Sequence, residues 1–118
     1  YPQIPGNERL HNLSGLGYKC GFGSVWLEDD HLADAQGNNI KGTVFVETNW
    51  SYDTDQGVFN PVRETRRARE AFEYCVKRNS ETKLCSGIVA RLDFLNAGAQ
   101  AADIIRAHEA AGGGLLKG

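Results

Sequence analysis

Residues Ile40 to Asn49 read Ile-Lys-Gly-Thr-Val-Phe-Val-Glu-Thr-Asn. The run is apolar and β-branched, and it stops abruptly at a carboxylate and two further polar residues. A strand covered on both faces needs no alternation of polar and apolar side chains, so the run predicts a buried parallel strand. Parallel strands open at their C-terminal ends onto the ligand crevice of α/β folds. The pattern therefore predicts that the strand delivers Glu47, Thr48 and Asn49 to a pocket.

The rest of the chain is compatible with that arrangement. Tyr1 to Phe22 is rich in Gly, Pro and Asn and reads as an irregular loop, here taken as residues 1–24. Ser24 can cap a helix from about Val25 to Ala35, with Glu28, Asp29 and Asp30 in its first turns, where the helix dipole favours negative charge. Gly37 marks its end. After the strand, Trp50 to Pro61 is a long polar loop of the kind that carries function more often than it merely connects. Asn60-Pro61 or Thr65 then opens a helix through about Arg78, with Ala68, Ala71, Phe72, Cys75 and Val76 on one stripe. Leu84 to Leu92 predicts a second strand that ends in Arg91 and Asp93. Asn96 can cap a helix over Ala97 to Ala110, and Leu115 begins a third strand. Residues 25–118 thus alternate helix and strand in one domain, which predicts an α/β fold with parallel crossovers.

Composition narrows the function classes. The net charge of -2, from 13 basic and 15 acidic residues, gives no reason to expect nucleic acid or an acidic membrane as partner. No apolar run approaches the roughly 20 residues that span a bilayer. The three cysteines, Cys20, Cys75 and Cys85, are odd in number and show no CxxC spacing, which points to free thiols and a cytoplasmic location. There is no methionine, and the chain stops as an apolar run begins. Both ends read as cuts, so the expectation is a fragment of a larger protein.

Few motifs carry chemistry. Asp53-x-Asp55-x-Gly57 with Glu64 imitates a calcium loop, but the glycine falls at position five rather than six. His11, His31 and His108 show no metal-binding spacing. No residue is assigned a catalytic role. Glu47 reads either as a rim residue, or partner of a metal ligand on a neighbouring strand, or as half of a salt bridge with Arg91. Thr48, Asn49 and Trp50 are placed to touch a substrate. Arg91 can bind a substrate carboxylate in bidentate fashion, or pair with Asp93 or Glu47.

Several blocks together resemble a known family. They are Thr43-Val-Phe-Val-Glu47, the aromatic-bearing loop with Tyr52, Pro61-Val-Arg-Glu64-Thr65, Cys85-Ser-Gly-Ile-Val89, and Ala110-Ala-Gly-Gly-Gly114 followed by Leu115-Leu-Lys-Gly118. In this order they look like the amidohydrolase-related metal-dependent hydrolases, in the branch that contains lactonases. The resemblance implies part of a (β/α)8 barrel, roughly strands 2 to 3 with the start of strand 4. It implies a divalent metal, zinc or manganese, held by residues outside this chain, and a lactone, ester or amide of a small carboxylated or sugar-derived substrate. The 118 residues alone are then expected to be inactive. A decarboxylase of the same superfamily and a small non-catalytic α/β binding module are the rival expectations.

Overall fold

A computed structural model describes residues 27–48 and 56–118. Its elements are helix α1 (Glu28–Ala35), strand β1 (Gly42–Val46), a 3-10 turn (Gly57–Phe59), helix α2 (Pro61–Lys77) and strand β2 (Lys83–Val89). The single-turn helix α3 (Phe94–Ala97), a second 3-10 turn (Gly98–Gln100) and helix α4 (Ala101–Gly112) follow. Strands β1 and β2 pair in parallel, with Val44 opposite Gly87, Phe45 opposite Ile88 and Val46 opposite Val89. On the other edge of β2, Leu116 forms an isolated parallel bridge with Ile88. The Ile88 amide donates to the Leu115 carbonyl at 2.8 Å, and the Ala90 amide to the Gly118 carbonyl at 2.7 Å.

The expectation of a partial (β/α)8 barrel is overturned. The described residues form a small α/β arrangement, a two-stranded parallel sheet with three helices of eight residues or more. A barrel wall pairs each strand on both edges, and β1 has one described partner, β2. The expectation that Ile40 to Asn49 is covered on both faces also fails. Val44 and Val46 are 65% and 55% exposed, because the helices pack against the other strand. The β-branched run makes a strand without making a buried one.

Helix α2 is the central packing element, in contact with β2 and α4. Pro61 starts it at a position where its missing N–H costs nothing. Ala68, Ala71 and Cys75 of its predicted stripe are buried, while Val76 lies half exposed at the end. Val62, Ala97 and Ile104 form a core cluster, joined by Phe59, Leu92, Ala101 and Ala107. Ile88 and Ile104 are fully buried. Helix α1 buries only Ala35 and is tied down by polar contacts instead. Glu28 pairs with Arg67, and the Tyr74 hydroxyl donates to Asp29 at 2.7 Å. Its N-cap is Leu27, whose amide donates to Asp30 at 2.9 Å. The proposed cap Ser24 lies outside the described residues.

Two local features depart from the sequence reading. The helix expected over Ala97 to Ala110 is interrupted, because Gly98 takes φ +51°. Asp93, not Asn96, caps the first turn, accepting from the Asn96 amide at 3.1 Å. In the sheet, a register shift falls between Gly42 and Val44, where β2 carries a bulge. There Cys85 sits at φ +53°, a left-handed conformation that a non-glycine residue adopts at a cost of roughly 1 kcal/mol or more. The bulge keeps its polar groups paired: the Cys85 amide donates to Thr43 Oγ1 at 3.0 Å and Ser86 Oγ to the Lys83 carbonyl at 2.7 Å. Gly42 lets Ser86 approach, since a Cβ there would lie 2.6 Å from Ser86 Oγ. Among the described residues no helix is long and apolar enough to cross a membrane.

Candidate functional site

The C-terminal ends of the parallel segments converge. Beyond β1, the Glu47 amide continues the ladder by donating to the Val89 carbonyl at 3.1 Å. This sets Glu47 and Thr48 beside residues 89–91, with Gly118 on the far side of Ala90. Open α/β sheets bind ligands outside this end of their strands.

Two of the predicted site residues meet there. Arg91 Nη1 lies 4.0 Å from Glu47 Oε2, with both side chains partly exposed. That separation is an ion pair longer than a hydrogen bond. Exposed pairs of this kind contribute about 0–1 kcal/mol. The guanidinium carries five N–H donors in a planar fork, a geometry that matches a carboxylate. Asp93, the other partner considered for Arg91, is engaged by Asn96, whose side-chain amide donates to it at 2.7 Å. Those bonds hold the Asp93 carboxyl below its usual range.

Thr48 is held differently. Its amide and its hydroxyl both donate to Glu64 Oε1, at 2.9 and 2.5 Å. Glu64 lies in the first turn of α2 and is only 3% exposed. The helix dipole favours its negative charge at that position. Its neighbour Thr65, 1% exposed, bonds His108 Nδ1 at 2.8 Å, and His108 Nε2 bonds the Arg91 carbonyl at 3.1 Å. A carbonyl only accepts, so Nε2 carries the proton and donates to it. In the neutral ring Nδ1 is then the acceptor, and the Thr65 hydroxyl donates. Burial holds the His108 pKa below its ordinary value, against the opposing pull of the Arg91 carbonyl and the Glu64 charge.

Asn49 and Trp50 lie outside the described residues, as does most of the long loop that contains Asp53 and Asp55. Glu64, Thr65 and His108 were not singled out as site residues from sequence. The signal was present in the helical stripes. Glu64 and Thr65 fall four and three positions before Ala68 on the buried face of α2, and His108 falls four after Ile104 on that of α4. Polar residues on an inward stripe need buried partners, and these find them behind the strand ends.

Among the described residues no group of three or more His, Cys, Asp or Glu side chains stands together where it could hold a metal ion. The described residues therefore do not furnish a site for the metal that the resemblance implies. Among the described residues, two open grooves of about 520 Å³ each lie away from the C-terminal ends of the strands. One runs between the end of α1 and Ser80 to Thr82, and the other between α2 and α4 along Arg66, Arg69 and Ala107. Neither brings together a charged pair aligned with the strand ends. No family model, no curated protein and no solved structure matches this chain.

Proposed function

We propose that this chain supplies the substrate-binding rim of a hydrolase that acts on a lactone, ester or amide bond of a small carboxylated substrate. The observation that carries the reading is the Glu47–Arg91 pair at the ends of two adjacent parallel strands. Arg91 is the group for a substrate carboxylate, by a bidentate hydrogen bond. Glu47 occupies that position while no ligand is bound and yields it on binding. Thr48 stands beside the pair with its amide and hydroxyl both donated to Glu64, and so orders the backbone next to Glu47. The hydrolytic chemistry rests on the ordered sequence blocks that resemble amidohydrolase-related enzymes. That resemblance puts the zinc or manganese ligands outside these residues, so binding without turnover is the property expected of this chain. Its cysteine usage favours a reducing compartment, and we assign it to the cytoplasm.

The test is an amide-resolved NMR titration with malonate, using neutral dimethyl malonate as control. The expected result is saturable shifts at Thr48, Ala90 and Arg91 with malonate alone. Equal shifts with both compounds, or malonate shifts confined to the Arg66–Arg69 face of α2, would overturn the reading.

A further inference from the structure

We propose that the Glu64–Thr65 turn of α2 is a positioning device that fixes both strand ends, and with them the Glu47–Arg91 pair, at the spacing a ligand requires. This rests on the reading of the strand ends as a carboxylate-binding rim. Two adjacent residues of one helical turn reach two different strand ends. Glu64 holds Thr48 by two hydrogen bonds, at 2.9 and 2.5 Å. Thr65 holds the Arg91 carbonyl through the ring of His108, by bonds of 2.8 and 3.1 Å.

The chemistry of the turn argues for more than packing. A buried carboxylate is costly to desolvate, and apolar residues of similar size usually serve stability as well or better. Here a carboxylate stands on the buried face of α2, and it accepts two hydrogen bonds from Thr48, a residue that is itself exposed. Holding Thr48 does little for the core formed by Val62, Ala97 and Ile104. It orders the backbone next to Glu47. The second arm behaves alike: His108 is 3% exposed, yet its outer nitrogen is spent on the main chain of Arg91. The two arms leave the side chains of Glu47 and Arg91 at the surface and fix the backbone beneath them. Preorganisation of this kind raises affinity by removing the ordering cost from the binding step.

The experiment measures amide hydrogen exchange and malonate affinity in the native protein, Glu64→Gln, Thr48→Val and Arg91→Ala. Thr48→Val removes one donor at an exposed position and therefore serves if Glu64→Gln fails to fold. Glu64→Gln and Thr48→Val are expected to speed exchange at the residue 48 amide about tenfold or more, while Ile88 and Ala90, whose amides donate to Leu115 and Gly118, stay protected. Both are expected to weaken malonate about three- to tenfold. Arg91→Ala is expected to weaken malonate binding about ten- to a hundredfold and leave exchange at Thr48 unchanged. Native-like exchange and affinity in the folded Glu64→Gln or Thr48→Val protein would overturn the positioning role and leave the rim reading intact. Absence of malonate binding by the native protein would remove the rim reading and this inference with it.

Discussion

Replacing Thr65 by Val probes the buried network with little change of shape. The Thr65 side chain is 1% exposed, and its hydroxyl is the partner of His108 Nδ1 at 2.8 Å. The Thr65 methyl already lies against Gly112, where an added Cβ would stand 3.5 Å from it, so the packing on that side is retained. Removing the hydroxyl leaves a buried ring nitrogen without its donor, a cost of about 1–3 kcal/mol. The methyl that takes its place recovers up to about 0.8 kcal/mol of apolar transfer. The net expectation is a loss of about 0.5–2 kcal/mol. With a urea m-value of about 1–3 kcal/mol/M for a small domain, the unfolding midpoint should fall by roughly 0.2–2 M at unchanged m. The assay is equilibrium urea unfolding, paired with the ring-nitrogen resonances of His108. A variant as stable as the native chain, with those resonances unmoved, would refute the network.

Other expectations follow from the same geometry. Because burial holds the His108 pKa below its ordinary 6.5, the unfolded chain binds the proton more readily than the folded one. The stability this confers is complete above about pH 6.5 and is lost as pH falls through the folded value, at up to about 1.4 kcal/mol per pH unit. Urea melts at pH 7.5, 6.5 and 5.5 should show the loss in the native chain and a shallower one in His108→Gln. Burial, with Cys75 nearby, pushes the Cys85 thiol up to about 11, so its thiolate fraction at pH 8 is about a hundredfold below that of an ordinary thiol. In a Cys20→Ser, Cys75→Ala background, Ellman's reagent should label the folded chain slowly and the urea-unfolded chain fast; fast labelling of Cys85 when folded would contradict its raised thiol pKa. Glu47→Gln removes the carboxylate that competes for Arg91 and should tighten malonate about two- to fivefold, a gain in keeping with an exposed ion pair.

The element order was legible because local signals were strong. Pro61 and the stripe through Ala68, Ala71 and Cys75 mark α2, and the run Leu84 to Leu92 marks β2, which ends sooner, at Val89. The pairing of Glu47 with Arg91 was one of the alternatives the sequence allowed, since two charge-ended strands of a parallel pair place their ends together. What misled was the inference from an apolar run to burial. Val44 and Val46 have the β propensity of a core strand, but propensity reports fit to a pleated backbone and not the presence of a covering layer. The expected barrel came from the resemblance of the sequence blocks, and it fails because the described strands form a two-stranded parallel sheet. The Gly98 interruption and the Cys85 bulge were hidden for a different reason. A single residue at positive φ leaves a trace in composition only when glycine is demanded, and Cys85 is not glycine. The Glu64–Thr48 and Thr65–His108 contacts join residues 16 and 43 apart, and such pairings depend on tertiary placement.

The central claim is that Arg91 receives a ligand carboxylate at the strand ends. Its most direct test is the malonate dissociation constant of the native chain against Arg91→Ala, measured at one pH and ionic strength. A charge-assisted hydrogen bond contributes about 1.5–3 kcal/mol, which corresponds to an affinity loss of roughly ten- to a hundredfold. That loss is the predicted result; a folded Arg91→Ala chain that binds malonate as tightly as the native one would contradict the account.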